Sequence, residues 1–422
     1  MQPTLSITAE WERLDEGAPE ERACFAALGI LSNNHWLTEG RDGFVNRIRT
    51  APLLSAYHLA EWLAWNWWRL RWEPRSNAPD WAFAHRMATI GEGYVWPNIT
   101  IFSDGERTAL ISKPTTDRPG TAFRYISDYA AIMPSVVFEG AVDQFIGQVL
   151  GQLQAEHIQG SNLDRLWTEL THERRDRDAT RRRKLEALLG HEPDEADPST
   201  IERLLDDARH LGERAVEELA ADHAQGGGLL TADDLRRLAE SSGFAASPRD
   251  AARLAPGGLP PLRDAPAWKL GADAARALRE QERLGDGPIS NDRLTRLAGV
   301  ETRALSEDRR GPDLSFVLDR SETESRLVLR SRWPTGRRFE IARLLADRIV
   351  ASPHGRLHAA TRAYTYRQKM QRSFAAELLS PFEAVDQKLA GDYSGEAQQD
   401  VAELFQVSEL TIRTLLVNHH RL

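Results

Sequence analysis

Two amphipathic segments near the C-terminus constrain this chain most. Residues 337–350, RRFEIARLLADRIV, and residues 367–381, RQKMQRSFAAELLSP, space their apolar side chains as one face of an α-helix, with the loop SPHGRLHAATRAY between them. Two such helices must bury those faces against something. The strand candidates LSFVLD and SRLVLRS, joined by the polar turn RSETE, lie just upstream and supply a sheet. Strands followed by helices make an α+β arrangement.

At 422 residues the chain is too long for one typical core, and two or three domains are expected. The partition read from composition is an N-terminal α+β domain over 1–140, a mainly helical region over 141–285 and a C-terminal α+β domain over 286–422. Gly226-Gly227-Gly228 and the stretch APGGLPPLRDAP are the linker candidates. A single cysteine, Cys24, rules out an internal disulfide and any multi-cysteine metal cluster. The start, MQPTLSITAEWERLDEG, has neither a basic n-region nor an apolar h-region, and no apolar run approaches the length of a membrane span, so a cytoplasmic location without a membrane partner is expected. A net charge of −9 argues against broad nonspecific binding to nucleic acid.

In the N-terminal region the clearest hairpin is NITIFSDGERTALISK, where Asp104-Gly105 supplies the turn. LSITAEW and ACFAALGIL are weaker strands. The stretch APLLSAYHLAEWLAWNWWRLRWEP predicts a helix ended by Pro74, whose tryptophans (Trp62, Trp65, Trp67, Trp68 and Trp72) are expected to fill the N-terminal core. The mixed-charge run HERRDRDATRRRK reads as a solvated helix face.

The C-terminal pair of helices resembles the ImmA/IrrE family of bacterial metallopeptidases. Arg338, Phe339, Ile341 and Ala342 match the lead-in to that family's zinc helix, and Phe374, Ala375, Ala376, Leu378, Leu379 and Pro381 match its later F-A-A-x-L-L-x-P motif. The resemblance covers about the last quarter of the chain and implies a zincin-like fold. The positions it assigns to H-E-x-x-H read Arg343, Leu344, Leu345, Ala346 and Asp347, and the third ligand position is Gln368. A zincin needs two imidazoles one turn apart with a glutamate as base; arginine is a donor only, and leucine moves no proton. No catalytic residue and no cofactor is therefore expected there. Arg343 and Asp347, at i and i+4, are expected to pair across the vacated cleft, with Arg337, Arg338 and Arg367 as further cations able to meet an acidic partner.

The resemblance points to a pseudoenzyme in a regulatory, stress-response or phage-defence setting that binds a protein partner, one that a neighbouring gene could encode, without cleaving it. Two alternatives remain open from the residues. One is a metallopeptidase with an unorthodox site using His354 and His358, four apart in the loop, though Pro353 and Gly355 weaken a helix there and no third ligand is near. The other is a transcription regulator using the tail GEAQQDVAELFQVSELTIRTLLVNH, which resembles a helix-turn-helix: Phe405-Gln406-Val407 as turn, Ser408 as cap, Ile412 and Leu415 on the buried face, and Thr411, Arg413, Thr414 and Asn418 on the other.

Overall fold

The computed structural model describes residues 3–116, 122–255, 265–307, 311–350 and 355–422. It is an α+β protein with several small antiparallel sheets and many helices, and it divides into two compact units, Met1–Ile201 and Glu202–Leu422. The helical middle region read from composition is no separate body. Its first helices bury their faces in the N-terminal core, and its later ones in the C-terminal core. Among the described residues no helix is long and apolar enough to cross a membrane.

In the first unit, Leu5–Trp11 and Phe25–Ser32 pair antiparallel, with Leu5 opposite Ser32 and Trp11 opposite Ala26. The Ile99–Ser103 and Arg107–Ser112 strands form the expected hairpin, turning at Gly105 with φ +101°. Helix Ser135–Ala155 buries Phe138, Val142, Phe145, Ile146 and Val149 in the same core. The tryptophan-rich helix is interrupted. Leu53–Ser55 is a short strand, and Asn66 divides Ala56–Trp65 from Trp67–Trp72, its side-chain amide donating to the Trp62 carbonyl at 2.9 Å and competing with the helical ladder. Glu73 then turns extended ahead of Pro74. Trp67 and Trp68 are buried as core fill, whereas Trp65 is exposed.

The second unit is built on a four-stranded antiparallel sheet in the order Phe244–Ala246, Ser325–Val328, Ser315–Asp319, Leu357–Ala360. The hairpin between the middle two strands is the one read from the sequence. The edge strand Leu357–Ala360 lies where the sequence suggested only loop, with His358 opposite Val317. Phe244–Ala246, from the middle region, is the other edge, so a boundary near residue 286 would cut this sheet's unit in two. Helices Pro334–Val350 and Tyr366–Leu379 bury their apolar faces in the core over this sheet.

Helix Ala267–Gln281 lies along the second of these. At Gly271 a Cβ would stand 2.3 Å from the Met370 carbonyl oxygen and 2.8 Å from the Phe374 nitrogen, so glycine is what lets the two backbones approach. The triple glycine is a helix terminus and not a linker. Gly227 N–H donates to the Asp222 carbonyl at 2.9 Å, and the Gly227 carbonyl is 2.9 Å from His223 Nδ1. Of APGGLPPLRDAP, residues 256–264 lie outside the described residues.

Candidate functional site: a buried charge network in the C-terminal unit

Arg343 and Asp347 share one face of the Pro334–Val350 helix, and both are buried. Facing them is the first turn of Tyr366–Leu379, which begins at the Thr365 cap (Gln368 N–H to Thr365 Oγ1, 3.2 Å) and so aims Arg367, Gln368 and Gln371 inward. Strand Leu357–Ala360 adds His358 and the backbone of Ala359. Helix Glu213–His223 adds Glu218. Leu344 faces elsewhere, into the apolar core with Ile341 and Leu345.

Asp347 does not pair with Arg343. Its carboxylate accepts from the Arg367 guanidinium through both Nε and Nη2, from His358 Nδ1 at 2.9 Å and from Gln371 Nε2 at 2.8 Å. A guanidinium fork satisfies both oxygens at once, which an i,i+4 contact along one helix does not. Burial alone would raise the Asp347 pKa, but the Arg367 charge and the His358 contact hold it far below the usual carboxylate range. Arg367 is correspondingly raised: burial opposes its charge and Asp347 outweighs burial. His358 Nε2 is 3.5 Å from Asp319 Oδ2, so both ring nitrogens face carboxylates. Burial disfavours the imidazolium, yet Asp319 and Asp347 together raise its pKa above the usual value.

Arg343 turns the other way. Its Nη2 donates to the Thr361 carbonyl at 2.7 Å and to Gln368 Oε1 at 2.5 Å, and its Nε has no hydrogen-bond partner. Among the described residues no carboxylate touches it. Burial, reinforced by the Arg372 charge, lowers its pKa to about 9. Gln368 Oε1 also accepts from Thr361 N–H at 2.9 Å, while Gln368 Nε2 and Gln371 Nε2 each donate to the Ala359 carbonyl at 3.0 Å, tying the edge strand to the helix. Glu218 accepts from Thr365 Oγ1 at 2.8 Å, and its burial pushes its pKa up to about 7 against the nearby Arg367 charge.

Arg343, Asp347, Gln368 and Arg367 thus come together. Arg337 and Arg338 do not join them. Arg337 donates to the carbonyls of Ser331 and Ala304, and Arg338 to Asn291 Oδ1 at 2.5 Å and the Ile289 carbonyl at 2.7 Å. Both are buried and fasten the helix to the segment before it, which removes them from any open cleft. His354, the other half of the His354 and His358 pair, lies outside the described residues. Among the described residues no group of three or more His, Cys, Asp or Glu side chains is placed to hold a metal ion. The residues at the positions that the resemblance assigns to zinc ligands do not fit zinc: Arg343 only donates, and both Asp347 oxygens are taken by hydrogen-bond donors.

Sequence reasoning missed Glu218, His358 as the partner of Asp347, and Gln371. The spacing of Gln368 and Gln371, three apart on one helix face, was the one available signal. In the tail, Gln406 turns left-handed at φ +54°, Ser408 Oγ accepts from Thr411 N–H at 3.2 Å, and Ile412 and Leu415 are buried, as expected of the helix pair. Its outer face carries Arg413, Thr414 and Asn418 beside Glu409 and an exposed Leu410. Comparison with protein-family models, with curated proteins and with solved structures finds no match for this chain.

Proposed function

We propose that the C-terminal unit is a degenerate ImmA/IrrE-type zinc-peptidase scaffold, and that the protein acts by binding a protein partner in a bacterial regulatory or phage-defence role without cleaving it. One observation carries this reading. The three positions that the resemblance assigns to zinc ligands, Arg343, Asp347 and Gln368, are all buried where two helices face each other: Arg343 bonds Gln368 and the Thr361 carbonyl, Asp347 bonds Arg367, His358 and Gln371, and Gln368 and Gln371 share the Ala359 carbonyl. Convergence supports the zincin-like frame, and the donor set supports its conversion to structure.

The tail is less favourable to a transcription regulator. A helix that reads the major groove meets a phosphate-rich surface, and this one offers Arg413 beside Glu409. Elemental analysis of the purified chain, together with a cleavage and co-purification assay on a repressor-type protein, tests the proposal. No stoichiometric zinc, and an intact repressor recovered in complex, are expected. One zinc per chain, or cleavage abolished by a chelator, would overturn it.

A further inference from the structure

An open cleft of about 290 Å³ lies in the first unit, at the end of helix Ala56–Trp65, lined among others by Glu61, Trp62, Trp65, Ile90, Glu92 and Asn162. Its walls carry two indoles and two carboxylates with His58 and Asn66 beside them, and no lysine or arginine lines it. Glu61 is half-buried, and its Oε1 accepts from Asn162 Nδ2 at 2.6 Å and Tyr57 Oη at 3.3 Å, both neutral donors. Among the described residues no cation pairs with Glu61 or Glu92.

Several tryptophans of this unit are covered by a cation or a ring. Arg71 and Lys184 lie over Trp72, Arg174 over Trp67 and Trp167, and His85 stacks on Trp81. Among the described residues no cation or ring covers Trp62 or Trp65, and Trp65 is 57% exposed. The loop that brings Glu92 to the cleft is strained. Gly91, Glu92 and Gly93 run left-handed in succession, at φ +77°, +53° and +78°, with the Gly91 carbonyl held by Trp96 Nε1 at 2.8 Å. A non-glycine residue kept in that region stores conformational cost, and such cost collects where a side chain must be aimed.

We infer that this cleft binds an alkylated ammonium group, its methyl-covered cation packing on Trp62 and Trp65 and its charge met by Glu61 and Glu92. A quaternary ammonium suits the place because aromatic faces attract it electrostatically and it costs little to strip of water. The ligand source is a free small molecule or a methylated lysine side chain, which share this chemistry. The inference does not rest on the reading of the C-terminal unit.

Calorimetric titration of the full chain tests it, with butyltrimethylammonium as probe and 3,3-dimethylbutanol as an uncharged mimic of the same shape. Choline and a peptide bearing trimethyl-lysine, titrated in parallel, separate the two sources, and tighter binding of either supports the site. Saturable binding of the ammonium probe is expected, weakened about tenfold in Trp65→Ala and in Glu92→Gln at unchanged melting temperature. The uncharged mimic should not bind. Equal affinity for the mimic, unaltered affinity in both variants, or no saturation by the cation would overturn the inference.

Discussion

Asp347→Asn keeps the side-chain volume and removes one charge. In the native fold that carboxylate is 1% exposed and faces the Arg367 fork and His358 Nδ1 at 2.9 Å, besides Gln371 Nε2 at 2.8 Å. An amide accepts through one oxygen only and turns its own donors toward another donor. Removing one partner of a buried pair costs roughly 3–5 kcal/mol, because the remaining charge stays out of water uncompensated. For a unit the size of Glu202–Leu422, 1 kcal/mol moves the melting temperature by roughly 2–4 °C, so a fall of about 6–20 °C is expected in its calorimetric transition. His358 would lose the nearer of its two anions, and its pKa should drop from its raised value toward or below the usual one, read from its imidazole proton resonance in the full chain. Arg367→Met in the Asp347→Asn background should cost clearly less than the sum of the single changes, a coupling of roughly 1–3 kcal/mol. A loss under about 1 kcal/mol with His358 titrating as before would refute the assignment of Asp347 as the hub.

Arg343→Met should be tolerated within roughly 1.5 kcal/mol in urea unfolding, since among the described residues no carboxylate touches Arg343 and both acceptors keep a second donor, Arg372 Nη2 at 3.3 Å for the Thr361 carbonyl and Thr361 N–H at 2.9 Å for Gln368 Oε1. A loss of 3 kcal/mol or more would mean that its charge is structurally required. Stability should decline as pH rises from about 4.5 to above 7, because Glu218, raised from 4.5 to about 7, and His358, raised above 6.5, both hold protons more tightly folded than unfolded; Glu218 alone accounts for roughly 3 kcal/mol of that decline at most. Asp347 works in the opposite sense, contributing stability above pH 3.8 that is lost as pH falls through its depressed folded value. Glu218→Gln should flatten the neutral slope, and an unchanged slope would remove Glu218 from the account. Gly227→Ala would place a Cβ 2.3 Å from Asp222 Oδ2, a carboxylate already fixed by Arg362 N–H at 2.7 Å, and should destabilise by roughly 1–3 kcal/mol; an unaltered urea midpoint would show that this turn has room to move.

What the sequence made legible was local. Asp104-Gly105 declared the hairpin because only a few residues accept its backbone angles, and Ser408 declared the last helix because a hydroxyl there meets free N–H groups. The strand Leu357–Ala360 stayed hidden: its four residues, LHAA, show no alternation, and all four are buried. Arg337 and Arg338 misled in another way. Arginine is expected at the surface, and nothing local shows that carbonyls of Ser331, Ala304 and Ile289 will receive it. Glu218 reaches Thr365 across well over a hundred residues of chain, a relation no spacing rule carries. In the network itself, position was readable and partnership was not. The helical period placed Arg343 and Asp347 together, while the choice of Arg367 over Arg343 depended on a second helix and a strand.

A metal site and an ion network make the same geometric demand of this frame. Each needs side chains one turn apart on one helix to meet side chains from the first turn of the next, with a strand edge closing the space. Asp347 and Gln368 meet that demand with oxygen acceptors, and Arg367 and Arg343, with the His358 ring beside Asp347, supply the positive charge that a divalent ion would bring in a zincin. If the scaffold descends from a zinc peptidase, its stability has passed from an exchangeable ion to covalently tethered cations. Chelators would then leave it folded, and the changes that unfold it would be Asp347→Asn and shifts of pH. On that reading the domain would keep its shape under conditions that strip metal, which would suit the proposed role of presenting a surface to a partner.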